Sequence, residues 1–218
     1  MLLSYRPADS VDFYGIRKIP PPEENLELLR SWGVEMPTMR FLKGMPIIEY
    51  RDLTKEPGEK IDMDDFKGSI TIPNWIDASL DLHFVPETIR LTVVKWGKEK
   101  GQIGKITIAP ENWMGAFSII SYCGVTLDKN QTFAAGVVIM DCCMNPVDPE
   151  KPAGLDNCYM APVHVQENVW LGAHTIIMPG VTVGHHCTIG SRSVITKDIP
   201  PHCVAVGNPA TIVTRYVK

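Results

Sequence analysis

The sequence predicts a mainly β fold, a left-handed parallel β-helix with an excursion loop and a partly helical N-terminal extension. Two observations indicate this class. The C-terminal half repeats a pattern every six residues, and the same pattern recurs upstream before a segment rich in Cys, Asn, Pro and Asp interrupts it. Short repeats are typical of solenoids, because each unit can bury its apolar side only against neighbouring units.

The repeat is clearest over residues 163–198, which divide into six units of six residues. The first position is small or aliphatic and the fourth is often glycine, which suits a turn with an unusual backbone angle. Alternation places the first and third positions on one side of a short strand. Three such units close one coil, so residues eighteen apart should stack. The third position is aliphatic in every unit: Val165, Leu171, Ile177, Val183, Ile189 and Ile195.

The pattern also defines the domain organisation. Residues 106–120 mirror residues 163–177, and the rhythm continues through residues 125–127 and 137–139 before it stops. We interpret residues 141–161 as a loop that leaves the coil stack and rejoins it, and long loops in compact folds are commonly functional. Residues 69–218 are therefore predicted to form the β-helix, and residues 1–68 an extension with a helix over 23–34.

Composition and charge exclude several function classes. The chain has 218 residues and a formal net charge of -4, which gives no basic stripe for nucleic acid. No apolar run approaches the roughly 20 residues that span a bilayer, and the N-terminus lacks the charge and apolar pattern of a signal peptide. We therefore expect no nucleic-acid or membrane partner, a cytoplasmic location, and reduced thiols at the six cysteines.

Between residues 168 and 210 the sequence resembles the hexapeptide-repeat acyltransferases. The matching segments are Asn-Val-Trp-Leu-Gly at 168–172, Pro-Gly-Val-Thr-Val-Gly at 179–184, residues 194–201, and Gly-Asn-Pro-Ala at 207–210. They are similar to the branch that O-acetylates galactosides, maltose, capsule sugars and xenobiotics. The resemblance implies transfer of an acetyl or other acyl group from acetyl-CoA to a hydroxyl or amine of a sugar or other small acceptor, without identifying the acceptor.

The resemblance also implies a quaternary structure and a binding site. Members form homotrimers that bind acetyl-CoA, as co-substrate, in the cleft between neighbouring subunits, and the excursion loop reaches across that cleft. Cationic side chains on the last coils suit the anionic tail of CoA, although solvated Arg and Lys are common on any surface. Carried over residue by residue, the candidate CoA contacts are Trp170, Ala173, Arg192, Thr196, Lys197 and Asn208.

The chain departs from this family at one catalytic position. Members carry a His-Pro pair in the excursion loop, and that histidine removes the proton of the acceptor as it attacks the thioester. Here Asn145 precedes Pro146, and no histidine lies between His83 and His164. Asparagine cannot act as a general base. Either another residue supplies the base, or the chain is a catalytically silent scaffold that binds CoA or a sugar.

The sequence alone does not choose the replacement base. We take His83, Asn145 and His164 as the candidate catalytic positions, since His83 precedes the recognisable coils and His164 follows the loop at an outward-facing position. Carboxylates would need desolvation to become strong bases, and cysteines would need a nearby cation to become nucleophiles. The other residues of these kinds are His174, His186, Asp141, Asp148, Glu150, Cys142 and Cys143.

A zinc hydratase that shares this helix is the third alternative. Its site needs three histidines that converge at a subunit interface. His185 and His186 are adjacent in the sequence, and the repeat places the remaining histidines on separate corners. Because ligand geometry is restrictive, we expect no metal site.

Overall fold

The computed structural model describes residues 2–3, 47–54, 62–72, 76–77, 89–97, 101–146, 148, 150–151 and 157–216. Within these ranges the chain winds through three sheets that form the sides of a left-handed parallel β-helix. Successive coils add short strands to the sheets in turn, and the stacked strands are parallel. The predicted fold class is confirmed.

Each sheet is a ladder of short strands. Sheet A contains Leu2–Leu3, Ile47–Asp52, Arg90–Trp96, Phe117–Ser121, Val137–Met140, Ile176–Ile177 and Val194–Ile195, with Gln102–Ile103 paired to Arg90–Trp96. Sheet B contains Ile70–Thr71, Ile106–Ile108, Val125–Leu127, Val163–Val165 and Thr182–Val183. Sheet C contains Ile76–Asp77, Asn112–Met114, Thr132–Phe133, Trp170–Leu171, Thr188–Ile189, Cys203–Gly207 and Ala210–Arg215. A 3-10 helix spans Met63–Phe66.

The stacking register agrees with the six-residue period. Trp170 pairs with Thr188, and Ile176 pairs with Val194, so equivalent residues of these coils are eighteen apart. The third-position side chains fill the interior, and each is at most 1% exposed: Val165, Leu171, Ile177, Val183, Ile189 and Ile195. The predicted core is therefore confirmed, and apolar burial along the axis is the main stabilising contribution.

The fourth-position glycines serve close approach rather than an unusual backbone angle. Gly172 and Gly184 do not have positive φ. A Cβ on Gly172 would lie 2.4 Å from the nitrogen of Ser191 in the next coil. The left-handed conformation falls two residues later, at the sixth position, where His174 has φ 57° and Arg192 has φ 60°. Our interpretation of these glycines was therefore wrong, because contact between coils, not the turn, excludes a side chain.

The excursion contains a two-stranded antiparallel hairpin, Cys142–Pro146 with Cys158–Met160. Its first strand begins directly after Asp141, which is fully buried. The Asp141 carboxylate accepts hydrogen bonds from Ser121 Oγ at 2.8 Å and from the backbone N–H groups of Tyr122, Cys123 and Gly124 at 2.7, 2.8 and 2.6 Å. Successive N–H groups of this kind form an anion-binding nest, so Asp141 fixes the departure point of the excursion.

Part of the stretch before residue 69 also belongs to the sheets. Ile47–Asp52 pairs in parallel with Arg90–Trp96 over six residues. Tyr50 packs on the fully buried Phe66, with ring centroids 5.1 Å apart. The helix predicted over 23–34 lies outside the described residues. Among the helices that the structure does describe, none has the length and apolar character needed to cross a bilayer.

Candidate functional site

Three predicted CoA contacts lie close together where sheet C turns into sheet A. We call this turn, residues 172–175 and 190–193, the C–A corner. The N–H of Arg192 donates to the carbonyl oxygen of Ala173 at 2.7 Å, so the two turns stack directly. Asn208 follows Gly207, whose N–H donates to Ser193 Oγ at 3.1 Å. Arg192 and Asn208 are exposed, so a guanidinium and an amide can both contact a ligand from solvent.

Trp170 lies on the outer face of sheet C beside this corner. Its side chain is 55% exposed, and Trp113 on the same face is 45% exposed. Thr132 pairs with both residues, so the two indoles belong to one row across three coils. Open aromatic surface of this kind commonly marks a ligand or subunit contact.

Thr196 and Lys197 lie at a different corner. They follow strand Val194–Ile195, where sheet A turns into sheet B, and both side chains are exposed. The structure therefore places Ala173, Arg192 and Asn208 at one end of the sheet A strands and Thr196 with Lys197 at the other. A single chain does not gather all the predicted contacts at one point.

His164 faces outward from sheet B and has a carboxylate partner. Its Nε2 lies 3.0 Å from Oδ2 of Asp128, and the two side chains are 41% and 39% exposed. A carboxylate at this distance favours a proton on Nε2, which leaves Nδ1 able to accept one. Sequence reasoning selected His164 but missed Asp128. The register of the two strands is the signal that points to Asp128. Leu127 pairs with Val165, so Asp128, the next residue, lies beside the strand that carries His164.

The other two candidate catalytic positions lack a described side chain. Asn145 lies within the hairpin strand Cys142–Pro146, and this backbone placement is all that the structure describes of it. His83 lies outside the described residues, so its part in catalysis stays a prediction. Asp148 and Glu150 are exposed, and the Glu150 N–H donates to Asp148 Oδ1 at 3.0 Å in a local turn.

Burial raises the pKa of three cysteines beside the excursion. The six cysteines, all within the described residues, form no disulfide. Burial raises the pKa of Cys142 to about 12, and the neighbouring Cys158 and Asp141 add to the shift. Burial also raises the pKa values of Cys123 and Cys143. A thiol that stays protonated at neutral pH is a poor nucleophile, so Cys142 and Cys143 do not fit covalent catalysis.

A cluster of three histidines lies where sheet B turns into sheet C. We call this turn, residues 184–187 and 200–202, the B–C corner. One ligand atom from each of His185, His186 and His202 lies within 4.8 Å of the others. The expectation that the remaining histidines lie on separate corners is therefore wrong for His202. His202 lies sixteen residues after His186, so a period of eighteen does not predict that the two residues are neighbours. The structure shows that they are, since the His202 N–H donates to the His185 carbonyl at 3.0 Å.

Comparison with known proteins identifies the repeat. Residues 162–197 match the family described as bacterial transferase hexapeptide (six repeats). This segment of the chain therefore carries the hexapeptide repeat. The matched segment of this repeat contains five of the predicted CoA contacts: Trp170, Ala173, Arg192, Thr196 and Lys197.

Part of the chain is similar to proteins named as acetyltransferases. One from Staphylococcus aureus (strain COL) is 52% identical over 54 residues, which is 25% of this chain and 27% of that protein. Galactoside O-acetyltransferase of Escherichia coli (strain K12) is 47% identical over 55 residues, again 25% of this chain and 27% of that protein. The chain thus spans about a quarter of the length of these relatives.

Solved structures share the fold over most of the chain. The N-acyltransferase AntD of Bacillus cereus, solved with dTDP and 3-hydroxybutyryl-CoA, has a TM-score of 0.58 at 16% identity, and the match covers 87% of each chain. A maltose O-acetyltransferase from Clostridium difficile 630 has a TM-score of 0.50 at 23% identity, covering 90% of this chain and 77% of that one. These likenesses establish the left-handed β-helix.

Proposed function

We propose that this protein is an acyltransferase that uses acetyl-CoA as co-substrate and acylates a hydroxyl or amine of a sugar or other small acceptor. The observation that carries the proposal is the 47% to 52% identity between part of its chain and proteins named as acetyltransferases. Because one fold hosts several functions, the side chains at the corners must also suit the chemistry.

The C–A corner suits the donor. Arg192 offers several N–H donors in a planar fork, which matches the phosphate oxygens of CoA. Ala173 is small, so it leaves room for a pantetheine arm to approach the backbone of the turn. The open indole of Trp170 supplies apolar surface beside this path. Asn208, in the turn between strands Cys203–Gly207 and Ala210–Arg215, provides an amide that can donate a hydrogen bond to the adenine end of CoA or accept one from it.

A homotrimer accounts for the separation of Thr196 and Lys197 from this corner. In the proposed assembly, one CoA lies between two neighbouring subunits, so one protomer contributes its C–A corner and its partner contributes Thr196 and Lys197. Lys197 then adds a second cation to the phosphate-binding surface. The cytoplasmic location that belongs to this proposal agrees with six cysteines that form no disulfide among the described residues, since reducing compartments keep thiols reduced.

His164 is the base that the described residues favour. With a proton held on Nε2 by Asp128 at 3.0 Å, its Nδ1 can take the proton of the acceptor as the acceptor oxygen or nitrogen attacks the thioester carbonyl. The same imidazolium can then protonate the departing thiolate of CoA. This arrangement supplies the base that Asn145 cannot provide.

Kinetics of a histidine variant test the proposal. His164→Gln keeps a polar side chain but removes the base, so kcat should fall by roughly two to four orders of magnitude. Asp128→Asn should lower kcat less, because the imidazole loses the partner that orients its tautomer. CoA release is measured by chromatography with a panel of hydroxyl and amine acceptors. Thr107→Ala, on the same face of sheet B, is the matched control.

Two outcomes would redirect the assignment of the base. Unchanged turnover in His164→Gln together with a large loss in His83→Ala would transfer the role to His83. A gain of activity in Asn145→His would show that the excursion still reaches the acceptor, whereas no gain would argue that this strand no longer takes part in the chemistry.

Asn145 favours a second candidate function, a catalytically silent scaffold that binds CoA or a sugar. This scaffold would keep the C–A corner but not the proton transfer. CoA binding with no loss of the thioester, on every acceptor tested and in the Asn145→His variant as well, would support the scaffold over the enzyme.

A further inference from the structure

We propose that His185, His186 and His202 form a binding site for a late first-row transition metal such as Zn²⁺. The site is separate from the proposed donor and base residues, since it lies at the B–C corner near the C-terminal end of the β-helix. All three residues come from one chain, and two successive coils supply them.

The distances suit ligation. Nδ1 of His185 lies 2.9 Å from Nδ1 of His186, and one ring nitrogen from each of the three histidines lies within 4.8 Å of the others. Zn–N bonds of 2.0–2.1 Å in a tetrahedron separate two nitrogens by about 3.3 Å. Small ring rotations therefore bring all three nitrogens onto one ion. The rings are half-buried, so a fourth position can be filled from solvent.

The backbone holds the cluster in place before any ion binds. His186 and His202 each adopt the left-handed conformation, with φ 58°. The His185 N–H donates to Gln166 Oε1 at 3.0 Å. Tyr216, at the end of the last described strand, donates its hydroxyl to the His186 carbonyl at 2.6 Å and its N–H to the His202 carbonyl at 3.0 Å. A metal here would therefore also fasten the C-terminal strand to the last coils.

The donor set selects the class of ion. Neutral imidazole nitrogen suits Zn²⁺, Cu²⁺ and Ni²⁺, whereas Mg²⁺ and Ca²⁺ prefer carboxylate and carbonyl oxygen. Glu167, whose carbonyl oxygen accepts from the His186 N–H, has its carboxylate in a 3.9 Å ion pair with Lys129. We therefore expect Zn²⁺ to bind in the presence of excess Mg²⁺.

Calorimetric titration with ZnCl₂ tests the site, using full-length protein without a polyhistidine tag in buffer containing Mg²⁺. Wild type should bind one Zn²⁺ per chain, and saturating Zn²⁺ should raise the Tm. His202→Asn should weaken binding by at least about 100-fold, since it removes one of three ligands. Asparagine tolerates the left-handed backbone angle. His174→Asn is the matched control, because His174 also has positive φ but lies at the C–A corner, and it should bind like wild type.

A second variant distinguishes loss of a metal ligand from a folding defect. His185 does not have a positive φ, so His185→Gln should keep the wild-type circular dichroism and elution volume while losing Zn²⁺. Two results would overturn the proposal: no Zn²⁺ bound by wild type at millimolar concentration, or equal binding by wild type, His202→Asn and His185→Gln.

Discussion

The neighbours of each histidine ring determine which chemistry that ring suits. His164 combines exposure with a carboxylate neighbour 3.0 Å away, which is the arrangement that a general base needs. His185 and His186 instead face one another through their Nδ1 atoms at 2.9 Å, which suits shared ligation better than proton transfer to a substrate. We therefore propose separate uses for histidine on sheet B and at the B–C corner, and the neighbours of each ring set the difference.

Burial of Cys142 makes a prediction about thiol reactivity. A pKa of about 12, against an ordinary 9.0, leaves about three orders of magnitude less thiolate at pH 8 than an exposed cysteine has. Iodoacetamide should therefore leave Cys142 unmodified in native protein and alkylate it after denaturation, as read by peptide mass spectrometry. Alkylation of native Cys142 at the rate of the denatured chain would contradict this account.

The same shift has a consequence for stability. The folded state keeps the Cys142 proton above pH 9, where the unfolded chain releases it. Stability is therefore fully present below the unfolded pKa and declines as the pH rises from about 9 toward 12. The direction is opposite to that of a carboxylate whose pKa is lowered by an ion pair.

At the scale of the element, the excursion depends on the turn at which it leaves the coil stack. Asp141 is fully buried, and its carboxylate accepts from one hydroxyl and three backbone N–H groups. The carboxylate compensates these donors for their removal from water. The hairpin strand Cys142–Pro146 follows at once, so this anchor also positions Asn145.

Asp141→Asn should destabilise the fold by about 3 kcal/mol, because a neutral amide accepts more weakly and places an NH₂ against N–H donors. The free energy of unfolding is measured by urea titration. Asp148→Asn, at an exposed position in the same excursion, is the control and should change stability by less than about 0.5 kcal/mol. Equal midpoints for the two variants would show that the buried carboxylate does not hold the turn.

The elements also show what the sequence could and could not reveal. The six-residue period predicted the strand positions and the buried third position, because a side chain that packs against stacked coils must be apolar, and this is visible in the sequence. The role of Gly172 was not readable, since the restriction comes from Ser191 in the next coil. The position of His202 was not predicted for a related reason: the last coil reaches the B–C corner after sixteen residues rather than eighteen.

At the scale of the whole molecule, the candidate donor site is divided between two corners. Ala173, Arg192 and Asn208 lie at one end of sheet A, and Thr196 with Lys197 lie at the other. The resemblance implies that these residues share one CoA site. The proposed trimer would bring the two groups together at a subunit interface.

Sedimentation equilibrium tests the assembly. The particle mass should be about three times the 24.3 kDa of the chain. Trp113→Glu places a charge on the open aromatic row of sheet C and should shift the population toward monomer, because desolvating a carboxylate in an interface is costly. Thr107→Ala, on sheet B, should sediment like wild type. A wild-type protein that sediments as a monomer at high micromolar concentration would contradict the trimer.

Transfer of the acyl group itself is the most direct test of the central claim. Wild-type protein is incubated with acetyl-CoA labelled in the acetyl carbon and with sugars that carry free hydroxyl or amino groups, and the products are identified by mass spectrometry. The account predicts an acceptor that carries one labelled acetyl group for each CoA released, with the product nearly absent in His164→Gln. Bound acetyl-CoA that stays intact with every acceptor would contradict it.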